Sequence, residues 1–183
     1  MGCFRANKRQ KPTRKPMTSL EQFVPVDGYR IWTRRVGECR SPDLLPIVLL
    51  HGGPGVPSDY LEPLEALAAN GREVIRYDQL GCGRSDHPDD PALLRVERFV
   101  AELAQVREAL GLQRIHLYGQ SWGGMLALEV ALSGAEGVAS LVLSNAPASM
   151  PLWAEETGRL RRELPESVEA CLLYTSPSPR DRG

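Results

Sequence analysis

No stretch of this 183-residue sequence is apolar for long enough to cross a bilayer. The longest such run, Leu44 to Leu50, falls far short of the roughly twenty residues a spanning helix needs. Histidine is scarce: His51, His87 and His116 are the only three, and none follows Ser121. The four cysteines, at positions 3, 39, 82 and 171, have neither metal-ligand nor disulfide-framework spacing, which fits a reducing, cytoplasmic setting with no metal. GCGRSD at 81–86 lacks the third glycine of a dinucleotide fingerprint, and no GK[ST] occurs anywhere, which argues against nucleotide binding. No internal repeat is present.

What remains is the composition of an ordinary globular protein, 42% hydrophobic and 25% charged, with length for one domain. The net charge of -1 conceals an asymmetry. Residues 1–16, MGCFRANKRQKPTRKP, hold six Lys and Arg and no acid. This basic head has no apolar segment after it, so it is a poor secretory signal, and Ala6 stands where a myristoylation pattern wants Ser or Thr. It is expected to be disordered and silent, with Met17 as a candidate for the true start. The other end also departs from pattern. CLLYTSPSPRDRG, 171–183, is expected to carry no element of its own, and Cys171 to Asp181 resembles the in-frame translation of a transposon-type sequencing-library adapter.

Between the two ends, short apolar runs alternate with helical periodicities. Residues 20–36 read as two strands around the turn pair Asp27-Gly28. The run 44–50 is continuously apolar, as a strand covered on both faces should be. SDYLEPLEALAANG offers Ser58 as an N-cap candidate, helical spacing and a closing Gly71. Strands are then predicted at 72–79, 114–120 and 139–147, and helices at 96–111 and after Trp122. Alternation of this kind builds βαβ units, hence a mostly parallel sheet with helices on both faces and an antiparallel N-terminal hairpin at one edge.

The chemistry sits in the turns. Gly119-Gln120-Ser121-Trp122-Gly123 matches G-x-S-x-G between a strand and a helix, the setting of a nucleophile elbow. There the serine hydroxyl stands clear of the sheet, flanked by glycines so that strand and helix can pack closely. His51-Gly52-Gly53-Pro54-Gly55 follows the strand at 44–50, and a loop so rich in glycine brings backbone N–H groups close to a ligand. A serine hydrolase needs two such donors for its oxyanion, and the natural pair is the N–H of Gly53 with that of Trp122. His51, at a strand end, is read as a brace for its own loop rather than as a base. Asp78, opening DQLGCGRSD, is read as an acceptor for the N–H groups of the glycine turn, with a role as catalytic acid as the rival reading. His87 is expected to be solvated and His116 to be a satisfied core residue.

HGGPG, then DQLGCGRSD, then GQSWGGMLA, in that order, resembles the proline iminopeptidase (prolyl aminopeptidase) family of α/β-hydrolases over about Thr18 to Ala170. The resemblance implies an α/β-hydrolase fold, no cofactor, and a small peptide or amino-acid amide as substrate, with neither nucleic acid nor membrane as partner. It implies Ser121 as nucleophile, Gly53 and Trp122 as oxyanion donors, and His51, Gly52, Pro54 and Gly55 lining the substrate side. Residues 17–147 would be a partial core and 148–170 the start of a helical cap, in which Trp153 is a candidate pocket or cap-core aromatic. The chain also departs from the family, whose order is Ser, Asp, His. After Ser121 there is no histidine, and Asp181 is the only aspartate. The expected function is therefore a serine aminopeptidase whose base lies outside these residues, leaving the chain itself inactive. An amino-acid amidase, a carboxylesterase or a non-catalytic binding protein on the same scaffold are the alternatives.

Overall fold

The computed structural model describes residues 17–175, so the basic head and the stretch 176–183 lie outside the described residues. Strands β1 (Ser19–Val26) and β2 (Tyr29–Val36) form the expected antiparallel hairpin. Asp27 and Gly28 turn it with φ of 51° and 84°, the doubly left-handed geometry that matches the twist of the flanking strands. β3 (Ile47–Leu50), β4 (Val74–Tyr77), β5 (Ile115–Gln120) and β6 (Val138–Ser144) complete one six-stranded sheet in the order β1-β2-β4-β3-β5-β6. β2 joins β4 antiparallel, and the other three pairings are parallel.

Alternation along the strands sends apolar residues to two cores. Val48 and Leu50 of β3, with Ile75, Tyr77, Ile115 and Leu117, meet helices α1 (Val96–Ala109) and α2 (Trp122–Leu132) through Phe99, Leu103, Val106, Leu126 and Val130. Ile47, Leu49 and Val74 point the other way, onto Leu61 and Ala68 of a 3₁₀ helix spanning Ser58–Asn70. All four residues of β3 are buried, which is why its sequence shows no polar alternation. Helices thus cover both faces, as expected.

Several local expectations give way. β3 begins at Ile47 rather than Leu44, because Pro46 has no N–H to offer a ladder; its carbonyl accepts from the N–H of His116 instead. β4 is likewise shorter than 72–79. The segment after the glycine loop is 3₁₀, with Pro63 inside it, and Ser58 does not cap it. Pro57 precedes the helix, while the N–H and hydroxyl of Ser58 both turn to Asp78. The stop at Gly71 holds: at φ 82° its N–H bonds to Ala68 O. His116 is half-buried rather than core, with Nδ1 2.7 Å from Ser140 Oγ. His87 is exposed, as expected.

Beyond β6 the chain forms α3 (Met150–Arg162) and α4 (Glu166–Thr175), and α3 buries no residue. Trp153 on α3 is 51% exposed and so fills neither a pocket nor a core here. α4 runs past Ala170 into the expected tail, which begins at Cys171, and ends at Thr175; a helix already nucleated extends readily through residues such as Leu172 and Leu173. Among the described residues, no helix is long and apolar enough to cross a membrane.

Candidate active site at the turn between β5 and α2

Ser121 joins β5 directly to α2 and sits at φ 54°, ψ -120°, a conformation that favours glycine. Three glycines make that bend possible. A Cβ on Gly119 would lie 2.2 Å from Gly123 O, and one on Gly124 would lie 2.3 Å from the Cβ of Ala146. A Cβ on Gly123 would meet Leu50 O at 2.2 Å, so α2 rests its first turn directly on the end of β3. The N–H of Ser121 bonds to Ser144 O of β6 at 2.9 Å, and its carbonyl accepts from Gly124 N and Met125 N. The half-buried side chain is left outside this backbone lattice.

The glycine-rich loop lies against that serine. A Cβ on Gly52 would be 3.2 Å from the Cβ of Ser121 and 2.6 Å from Gln120 Oε1. Gly52 N–H donates to Tyr60 Oη at 2.6 Å, and the same hydroxyl donates to Gln120 Oε1 at 2.7 Å, tying the loop to the end of β5. Gly53 at φ 116° and Gly55 at φ 94° carry the chain through its tightest part, where a Cβ on Gly53 would crowd Gly55 N at 2.6 Å.

His51 is fully buried and both ring nitrogens are engaged. Nδ1 lies 2.9 Å from Gly52 O, and Nε2 accepts the N–H of Gln79 at 2.9 Å. That pattern requires the neutral ring with its proton on Nδ1, and burial holds its pKa below the ordinary histidine value. The bracing geometry expected for it is present. Gln79 extends the brace: its side-chain NH₂ donates to His51 O at 3.2 Å, and its Oε1 accepts the indole N–H of Trp122 at 2.9 Å. The Trp122 ring stands edge-on to Phe99 with centroids 5.9 Å apart.

Asp78 is fully buried and accepts from Ser58 N–H, Ser58 Oγ–H at 2.6 Å and Arg84 N–H at 3.0 Å. The Arg84 bond holds the glycine turn after β4, as expected of it, and the two Ser58 bonds tie that turn to the start of the 3₁₀ helix. Cys82, next in that turn, is no rival nucleophile, since burial pushes its thiol up to about 12. Between the glycine loop and Trp122 opens a mostly apolar cleft of about 360 Å³ walled by Pro54, Leu80, Leu94, Val96, Phe99 and Trp122. Among the described residues, no cluster of His, Cys, Asp and Glu could hold a metal ion.

A family profile described as alpha/beta hydrolase fold matches residues 46–178. The chain belongs to the α/β-hydrolase fold family. This α/β-hydrolase is 47% identical over 160 residues to the proline iminopeptidase of Lactobacillus delbrueckii subsp. bulgaricus, covering 85% of the chain and 54% of that protein. It superposes on a crystal structure of proline iminopeptidase from Mycobacterium smegmatis with a TM-score of 0.77 at 44% identity, covering 84% of the chain and 52% of the other. The crystal structure of VinJ gives a TM-score of 0.79 at 42% identity, with 85% and 53% covered. The hydrolase chain thus spans about half the length of the relatives it matches. Epoxide hydrolase VrEH1 of Vigna radiata, at 22% identity and a TM-score of 0.62, shares the fold.

Of the residues singled out in the sequence, the hydrolase brings Ser121, Trp122 and the loop 51–55 together and leaves His87 exposed on its own loop. Sequence reasoning missed Tyr60, Gln79 and Gln120. Only Gln79 carried a signal, as a polar residue closing the strand predicted over 72–79.

Proposed function

We propose that Ser121 is the nucleophile of a serine hydrolase, and that the whole protein is an aminopeptidase releasing an N-terminal proline, or a related residue, from small peptides. The observation that carries this reading is the backbone of Ser121: a non-glycine residue held at φ 54° against a glycine loop. Strain of that kind costs on the order of 1–3 kcal/mol and persists where the surrounding structure enforces it, commonly at reacting groups. Trp122 is the first residue of α2, so its N–H has no acceptor within the helix and can point at an oxyanion. Gly53 N–H supplies the second donor, and His51, Gly52, Pro54 and Gly55 shape the substrate side. Ser121 Oγ attacks the carbonyl carbon of the N-terminal residue, the amine of the next residue leaves with a proton, and water releases the acyl group from the serine. Proline preference rests on the likeness to proline iminopeptidases.

None of the three histidines is hydrogen-bonded to Ser121 Oγ: His51 has both nitrogens occupied, His87 Nε2 sits on Gly83 O and His116 Nδ1 on Ser140 Oγ, so the base is read as lying outside these residues. The 183-residue chain alone therefore turns over at least about 10⁴-fold more slowly than a complete enzyme. Residues 17–147 act as a partial hydrolase core and 148–170 as the start of a cap; Cys39 and Cys82, both thiols, suit a reducing cytoplasmic setting. The test assays the chain, and the same chain continued to the length of its relatives, on a prolyl arylamide, alanine amide and a short-chain ester. Prolyl arylamide turnover by the longer protein, abolished by Ser121→Ala, is expected. Turnover of the ester or the amide alone reassigns it as a carboxylesterase or amidase.

A further inference from the structure

We infer that Gln79 is a positioning residue that sets the spacing between the glycine loop and the first turn of α2. The inference rests on the proposed roles of Gly53 and Trp122, because those two backbone N–H groups are what the spacing would align. Gln79 is 2% exposed and is the second residue after β4. Three of its four polar groups reach these two elements, while its backbone carbonyl accepts the N–H of Cys82 within its own turn. The backbone N–H bonds to His51 Nε2, the side-chain NH₂ to His51 O, and the side-chain oxygen takes the indole N–H of Trp122. No other contact described between His51 and Trp122 passes through a single side chain.

The chemistry suits an amide. It donates and accepts from one rigid plane, so it can face a carbonyl on one side and an indole N–H on the other without any change of protonation. Glutamate could keep the indole bond but would set a carboxylate against His51 O, and methionine would keep neither. A misplaced oxyanion donor loses most of its value, since such donors act only when preorganised at the site of developing charge. Gln79 touches no reacting atom; it acts through the two elements it joins.

The test uses the ¹⁵N-labelled 183-residue chain and needs no turnover, so a negative hydrolase assay leaves it intact. Exchange of the Trp122 indole N–H is compared with that of exposed Trp153, alongside the amide resonance of Gly53 and the exchange of the sheet amides of Leu49 and Leu117. In the unsubstituted chain Trp122 is expected to exchange at least about tenfold more slowly than Trp153. Gln79→Met should bring it to the Trp153 rate and move the Gly53 resonance, with both sheet amides unchanged. Gln79→Glu should keep the indole slow yet still move Gly53. A slow Trp122 in Gln79→Met, or a Gly53 resonance unmoved in both variants, overturns the inference. If Gln79→Met also exposes the sheet amides, Gln79→Glu decides: a fast indole there overturns it, and a slow one with a shifted Gly53 supports it.

Discussion

The carbonyl oxygen of Leu50 occupies the space where a side chain on residue 123 would begin, 2.2 Å from a Cβ built on Gly123. The end of β3 and the first turn of α2 are therefore in backbone contact, closer than any side chain permits. That contact places the loop that follows β3 beside the serine that precedes α2. The site is thus a by-product of how tightly one helix lies on one strand, and the three glycines at 119, 123 and 124 are the residues that allow it.

Gly123→Ala should cost about 3 kcal/mol or more in urea unfolding, at or above the 1–3 kcal/mol typical of overpacking, because the obstacle is backbone and cannot rotate away. Gly158→Ala on exposed α3 is the contrast. A Cβ there meets nothing nearer than Arg162 Nη1 at 3.7 Å, so replacing a mid-helix glycine should stabilise by about 1 kcal/mol. Equal effects at the two positions would show that the contact with Leu50 is not tight.

Ser121→Gly should raise the urea midpoint, worth about 1 kcal/mol or more, since glycine adopts φ 54° without strain. Ser121→Ala retains the Cβ and should leave stability nearly unchanged. Both should abolish covalent labelling by a fluorophosphonate in the completed enzyme. A glycine variant less stable than wild type would mean the serine is not strained.

Much of this was legible before any coordinates, for reasons that differ by residue. Asp27-Gly28 announced its hairpin because turn chemistry is local, and the apolar run ending at Leu50 announced a strand covered on both faces. Ser121 and the loop at 51–55 could be read because backbone geometry there demands glycine at fixed offsets. The ends of β3 and β4 were less legible, since Pro46 and the ladder partners decide them. Gln79 and Tyr60 were missed as site residues because their roles lie in partners 43 and 60 positions away, Trp122 and Gln120. Ser58 was misread as a cap because its true partner, Asp78, lies 20 residues on.

Asp78→Asn should destabilise the chain by about 2–4 kcal/mol without any change in the pH profile of the completed enzyme's turnover. Asparagine presents an NH₂ where Ser58 or Arg84 now donates, leaving a buried donor opposed to a donor. Loss of turnover with full stability would instead support the reading of Asp78 as the catalytic acid.

Glu102, fully buried on α1, gives a prediction in pH. It accepts the N–H of Leu80 at 3.3 Å and pairs with Arg98, with Tyr77 and Asp27 as the other titratable groups around it. Burial raises its pKa from 4.5 to about 7, against the opposing pull of Arg98 and Leu80 N–H. Between about pH 4.5 and 7 the folded chain therefore holds a proton that the unfolded chain has released. Stability from this group is complete below about pH 4.5 and is lost as pH rises through about 7, an effect of at most about 3 kcal/mol. His51 works in the opposite sense: its lowered pKa means that the unfolded chain binds protons first, so its contribution fades as pH falls below 6.5. Glu102→Gln isolates the first effect, because it cannot titrate yet keeps an acceptor for Leu80. Urea midpoints at pH 5, 6 and 7.5 should fall more steeply in wild type than in Glu102→Gln, while parallel curves would mean that Glu102 stays ionised beside Arg98 throughout.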